Sequence, residues 1–275
     1  MLKLGLIAGG GVLPISLAEH CRAIGRPLFI IRLKGFADPQ LAMFESIECG
    51  IAELGKGISA LRRTGCEAIC LAGKVDRPEF RDLKPDLRGL AAVPGAIAAA
   101  RNGDDALLTF LVCEFEKEGF AVEGAHQVMS RLILPLGALG RHAPDSQALA
   151  DIGRAMLAAR AIGALDIGQG AVACQGLILA LEAQEGTDAM LRRIRDLPAA
   201  VRGEPGHPKG VLAKACKPGQ ELRVDLPTIG PETVRLAAGA HLLGLAGEVG
   251  RILVVDREET VRLADEAGLF VVGVA

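Results

Sequence analysis

The stretch LKLGLIAGGGVLP, residues 2–14, decides the fold. A largely apolar run, LKLGLIA (2–8), passes straight into three glycines and then into a helix-compatible segment from about Leu13 to Ala23. A strand in a parallel sheet is covered by helices on both faces, so it reads as a near-continuous apolar run without polar alternation. Working outward, RPLFIIRL (26–33) is the next strand, followed by SIECGIAEL, a helix across ISALRRTG and the strand EAICLAG (67–73). Strand and helix alternating at this short spacing predict right-handed βαβ units and a mostly parallel, Rossmann-like sheet. Two helices, LRGLAAVPGAIAAARN and GDDALLTFLVCEFEKEG, complete this half. Asp104 and Asp105 open the second of them, where carboxylates satisfy free N–H groups and oppose the helix dipole, so both are expected to be caps.

PLGALGRHAPDSQ (135–147) is rich in Pro and Gly and has little periodicity, which marks it as a linker between a domain at 1–134 and another at 148–275. Beyond it the pattern changes. A helix, SQALADIGRAMLAARAIG, precedes QGAVACQGLILALEAQEG, whose inner Gln-Gly separates two apolar runs in the manner of a hairpin. The charged helix TDAMLRRIRDL follows. Strands are expected around 211–216 and 221–226, joined by a turn at Pro218–Gly219. The amphipathic helix REETVRLADEAG lies between the strands RILVVD and LFVVGVA. The chain is therefore α/β, with a Rossmann-like, mostly parallel N-terminal domain and a mixed α/β C-terminal domain containing antiparallel hairpins.

Bulk composition removes several functions. With 275 residues, 50% of them hydrophobic and 23% charged, the chain can bury a large core and is not disordered. Aromatics make up 3%, with no Trp or Tyr, so stacking platforms for single-stranded nucleic acid are missing, and a net charge of -2 offers no basic face for a phosphate backbone. Seven cysteines without a CxxC pair read as small buried hydrophobes in a reducing cytosol. No secretory signal opens the sequence and no apolar run reaches the ~20 residues of a membrane span, which leads to the expectation of a cytoplasmic protein.

Several polar groups are placed where chemistry is possible. IAGGGVLP (7–14) follows a strand and opens a helix, where backbone N–H groups bind anions. It is not a dinucleotide fingerprint, because Pro14 stands where GxGxxG needs glycine, and no P-loop Lys follows. LAGKV (71–75) ends a later strand in the same way, so Gly10, Gly11, Gly73 and Lys74 are candidates for one ligand crevice at the carboxyl ends of parallel strands. A plain tight turn and a solvated lysine account for them equally well. In the second half, ALDIGQG (164–170), LEAQEGTDAM (181–190) and KACKPGQELRVDLPTIGP (214–231) bring polar groups to the ends of apolar strands. Buried charges are normally paired, metal-bound or exposed. Lys214 and Lys217 therefore either pair with Glu182, Glu185 or Asp225, or they clamp a phosphate whose divalent cation is held by carboxylates. Gly186 and Thr187 form a possible anion nest and N-cap. The five scattered histidines build no metallophosphoesterase site, and no GxSxG elbow or Nudix box is present.

IAGGGVLP, LAGKV, NGDDALL, EGAHQV, ALDIGQG, AVACQGLILALEAQEGTDAMLRR and KACKPGQELRVDLPTIGPETV together resemble one family along almost the whole chain. It is the UDP-2,3-diacylglucosamine pyrophosphatase of lipid A biosynthesis, in the version unrelated to metallophosphoesterases. The resemblance implies a Mg²⁺-dependent hydrolase that attacks the sugar-side phosphorus and releases UMP and 2,3-diacylglucosamine 1-phosphate from a substrate enclosed by two domains. It implies that Asp225 is the catalytic carboxylate and a metal ligand, with Lys214 and Lys217 balancing diphosphate charge. Gln169, Gly186, Thr187, Asp188 and Thr228 would contact sugar, phosphate or metal, and the glycine turns of the first half would hold the uridine or its phosphate. Peripheral contact with the cytoplasmic face of the inner membrane and a homodimer fit such a protein. A non-catalytic sugar-nucleotide or lipid carrier and a Rossmann-type dehydrogenase are the alternatives.

Overall fold

All five residues of β1 (Leu4–Ala8) are buried, as an inner strand of a parallel sheet requires. The computed structural model describes residues 1–76, 83–101 and 103–275, apart from the side chain of Asp104, and the expected Asp104 cap lies outside it. The chain divides into two units: Met1–Ser130 with Glu221–Asp225, and Arg131–Gln220 with Leu226–Ala275.

In the first unit the order is β1, α1 (Val12–Ala23), β2 (Leu28–Leu33), β3 (Ser46–Cys49), α2 (Leu54–Arg63), β4 (Ala68–Ala72), α3 (Leu87–Ala100), α4 (Asp104–Lys117), β5 (Ala121–Val122) and α5 (Ala125–Val128). The strands form one sheet in the order β3-β2-β1-β4-β5, and every pairing is parallel. This is the Rossmann-like arrangement that strand–helix alternation predicts, with β1 central and the chain working outward on both sides of it. The Asp86 carboxylate caps α3 by accepting the Gly89 N–H at 2.7 Å. Ile7, Phe29, Ile31, Ile58, Leu61, Ile69, Val112 and Phe115 belong to its core.

The second unit contains β6 (Gly137–Leu139), α6 (Ser146–Ala164), β7 (Gly170–Cys174), β8 (Leu177–Leu181), α7 (Gly186–Ile194), β9 (Val211–Lys214), β10 (Thr228–Ile229), α8 (Pro231–Gly239), β11 (Gly244–Glu248), β12 (Leu253–Val254), α9 (Arg257–Glu266) and β13 (Phe270–Val274). Its main sheet runs β6-β13-β11-β9-β7-β8, and β10 pairs with β12 separately. β9, β11 and β13 are parallel, whereas β6, β7 and β8 are antiparallel to their neighbours. The sheet is therefore mixed, and β7–β8 is the hairpin expected from the Gln-Gly dipeptide. Its turn is held by Asp151, a buried carboxylate on α6 that accepts the N–H groups of Gln175 (2.9 Å) and Gly176 (2.7 Å). Period-2 alternation sorts the core cleanly. Ala171, Ala173, Val211 and Ala213 pack with α6, while Val172 and Leu212 pack with Met190, Leu191 and Ile194 of α7 and Val234 of α8.

Two segments differ from the expectation. Residues 137–139, within the stretch expected to be a linker, form β6 on the edge of the sheet beside β13. The strand expected at 221–226 does not form. The N–H groups of Val224 and Asp225 both donate to Glu221 O at 3.1 Å, which curls the chain into a turn. Pro227 follows at once and has no N–H to give a strand ladder.

Candidate active site

Lys214 ends β9, and alternation puts its side chain on the α7–α8 face along with Leu212. It is 4% exposed, so its ammonium group must be satisfied from within. Nζ donates to Thr187 Oγ1 at 2.9 Å and to the Thr228 carbonyl at 3.1 Å. Thr187 Oγ1 in turn donates to Glu182 Oε2 at 2.9 Å, and Glu182 is 6% exposed. A buried ammonium and a buried carboxylate thus share one hydroxyl. Lys214 and Glu182 are connected through the Thr187 hydroxyl. Thr187 is not the cap of α7: the N-cap is Glu185, and the hydroxyl is committed to Glu182 and Lys214.

The two glycines of ALDIGQG make room for Glu182, Gly168 for its backbone carbonyl and Gly170 for its carboxylate. A Cβ on Gly168 would lie 2.1 Å from Glu182 O, and one on Gly170 would lie 2.4 Å from Glu182 Oε2. Gly168 and Gly170 are therefore spacers for Glu182, a link between two motifs that the sequence pattern alone does not reveal. Gln169, between them, accepts the Ala215 N–H at 2.9 Å through its carbonyl. Its side-chain Oε1 is buried without a hydrogen-bond partner among the described residues.

The other candidates of this unit are spread out. Lys217 pairs at 2.7 Å with Asp166, a partner not anticipated, instead of with Glu182, Glu185 or Asp225. Glu185 pairs with Arg193 at 2.9 Å and is held below the ordinary carboxylate range by backbone N–H bonds and by that guanidinium. Gly186 adopts φ 76° at the start of α7, and Asp188 is exposed in its first turn. Thr228 contributes its carbonyl to Lys214, while its hydroxyl donates to Leu226 O at 3.3 Å.

In the first unit, the turns after β1 and β4 do meet. Gly10 and Lys74 exchange backbone bonds in both directions at 2.8 Å, and the Gly9 N–H donates to Ala72 O at 2.8 Å. The Gly10 amide is therefore already bonded to protein. Gly11 is the N-cap of α1, and Gly73 packs against Pro14, where an added Cβ would lie 2.7 Å from Pro14 Cγ. The Lys74 side chain is 83% exposed and faces Asp76 at 3.5 Å.

Asp225 counts with this first unit, at the end of the 221–225 turn. Asp105, expected to cap α4, instead accepts the Glu221 N–H at 2.9 Å, and no side-chain cap of that helix is found among the described residues. Glu221 lies below the ordinary carboxylate range because the Arg223 guanidinium donates to it. Among the described residues no three His, Cys, Asp or Glu side chains cluster as metal ligands. Mg²⁺ needs only one or two carboxylates when substrate phosphates and waters fill its other positions. Asp225, a half-buried carboxylate, is of the residue type such a site uses.

The fold class is therefore a two-unit α/β protein, one unit with a Rossmann-like parallel sheet and the other with a mixed sheet. The chain belongs to the LpxI family: residues 3–132 match the LpxI N-terminal domain and residues 135–272 the LpxI C-terminal domain. A relative from Caulobacter vibrioides (strain ATCC 19089 / CIP 103742 / CB 15), UDP-2,3-diacylglucosamine pyrophosphatase LpxI, is 58% identical over 274 residues, covering 100% of this chain and 98% of the relative. No helix among the described residues is long and apolar enough to cross a membrane.

Proposed function

We propose that this protein hydrolyses the diphosphate of UDP-2,3-diacylglucosamine to UMP and 2,3-diacylglucosamine 1-phosphate, in lipid A biosynthesis. The end-to-end similarity to a pyrophosphatase of that name carries the reading. In this reaction the oxygen of a water molecule bonds to the sugar-side phosphorus. The bond from that phosphorus to the bridging oxygen breaks, and UMP leaves with the electron pair. The Asp225 carboxylate orients the water and takes its proton, so its task is that of a general base. Lys214 supplies positive charge against the diphosphate; its ammonium is pre-oriented by Thr187 and the Thr228 carbonyl, so little reorganisation is needed as charge develops. Lys217 adds a second, more exposed charge of the same sign. If Mg²⁺ takes part, Asp225 would be its protein ligand, and the ion would supply positive charge against the diphosphate.

The test uses purified protein and UDP-2,3-diacylglucosamine, with UMP release as the readout. Asp225→Asn is expected to stay folded and lose UMP release, and EDTA is expected to abolish turnover that Mg²⁺ then restores. Near-normal turnover by folded Asp225→Asn would remove Asp225 from the mechanism, and full activity after chelation would remove the metal.

A further inference from the structure

Residues 105–124, about a hundred positions upstream, grip the five residues Glu221–Asp225 at several points. Asp105, in the first turn of α4, accepts the Glu221 N–H at 2.9 Å. Glu116, near the other end of α4, accepts Arg223 Nη1 at 2.7 Å. Arg223 also forks back onto Glu221, with Nε to Oε1 at 2.9 Å and Nη2 to Oε2 at 2.7 Å. Gly124, just before α5, lies close to the turn: a Cβ there would stand 3.0 Å from Arg223 Cα, a tight contact, and closer still to the His126 ring. Val224 packs against the core that contains Val112, Phe115 and Phe120.

The turn is consequently well determined although it belongs to no strand or helix. Its N–H groups at Glu221, Arg223, Val224 and Asp225 all have protein acceptors. A guanidinium shared between two carboxylates fixes angle as well as distance, because its donors form a rigid fork. Isolated surface ion pairs contribute little, but a network with a part-buried member does more. Glu221 is 18% exposed and Arg223 30%.

We infer that Asp105 and Glu116 are positioning residues for Asp225: by gripping Glu221 and Arg223 they fix the turn from which the Asp225 carboxylate projects. This rests on the reading of Asp225 as the catalytic carboxylate. Neither residue touches the reacting atoms in this scheme. Their effect passes through a carboxylate whose working position tolerates little error, since a misplacement of about 1 Å can cost on the order of 100-fold in rate.

The test is steady-state kinetics on the full-length protein with UDP-2,3-diacylglucosamine, comparing Asp105→Ala, Asp105→Asn, Glu116→Ala and Asp225→Asn. Asp105→Ala should lower kcat by roughly 10- to 100-fold, with KM within about threefold of the wild type. Asp105→Asn keeps an oxygen for the Glu221 N–H and should recover most of that kcat. The double variant Asp105→Ala with Asp225→Asn should be no slower than Asp225→Asn alone. A merely structural role would lower the melting temperature and leave kcat per folded molecule unchanged. Wild-type kcat in Asp105→Ala, or an Asn variant as impaired as the Ala variant, overturns the inference. If Asp105→Ala does not fold, the partly exposed Glu116→Ala decides: a kcat loss of about 3- to 10-fold at steady KM supports the inference, and an unchanged kcat overturns it. Near-normal turnover in Asp225→Asn defeats the catalytic reading instead, a result distinguishable from all of these.

Discussion

Removing the Glu182 carboxylate should expose how strongly the buried charges of the second unit depend on each other. Two hydrogen bonds of 2.9 Å, through Thr187 Oγ1, link Glu182 Oε2 to Lys214 Nζ. The charges are therefore at most about 5.8 Å apart, and at an effective dielectric of about 20 their attraction is about 3 kcal/mol. Glu182→Ala should cost up to about that much, because it removes a nearby negative charge from a Lys214 that stays 4% exposed. For a unit of this size the loss corresponds to a fall of roughly 6 to 12 °C in melting temperature. Glu185→Ala is the control. Its ion pair with Arg193 is 32% and 49% exposed, and its loss should cost less than about 1 kcal/mol. The assay is urea unfolding of Glu182→Ala, Lys214→Met and the double variant. Coupled sites should show the double variant less destabilised than the summed single losses by roughly 1 to 3 kcal/mol. Additive losses, or a Glu182→Ala variant as stable as Glu185→Ala, would refute the claim that the hydroxyl transmits a charge interaction.

Two more predictions follow from close contacts and burial. Gly170→Ala places a Cβ 2.4 Å from Glu182 Oε2, so the carboxylate must move; thermal unfolding should show a loss of about 1 to 3 kcal/mol, and an unchanged melting temperature would contradict the packing. Burial pushes His126 below its ordinary value of 6.5, so its charged form is disfavoured in the folded state. Above pH 6.5 this has no effect on stability. As pH falls through 6.5 the unfolded chain takes up the proton first, and folded stability declines toward the lower folded pKa. Melting curves between pH 7.5 and about 5 should therefore show a shallower acid-side decline for His126→Gln than for the wild type, and identical slopes would be the contrary result.

The first unit was largely legible because its signal is local. The apolar run at 2–8, the glycine turn and the repeated strand–helix spacing each report a parallel sheet with covered faces, and β1, β2 and β4 lie where those patterns put them. The Gln-Gly hairpin was legible for the same reason. The 221–226 segment was not, because its alternating apolar residues suit a strand as well as a turn. What decides between them is long-range: Asp105 takes the Glu221 N–H from more than a hundred residues away. The Glu182–Thr187–Lys214 arrangement was half legible. The residue types at strand ends announced buried charge, yet the bridging hydroxyl and the spacing role of Gly168 and Gly170 exist only once β7, β8 and β9 are paired. Asp166 as the partner of Lys217 gave no sequence signal, since 51 positions separate them.

Hydrolysis in ¹⁸O-labelled water, followed by phosphorus NMR and mass analysis of both products, decides whether and where water attacks the diphosphate. The intact diphosphate should disappear, and the label should enter 2,3-diacylglucosamine 1-phosphate while UMP stays unlabelled. A diphosphate left intact by folded protein, or label found in UMP instead, would be the opposing result.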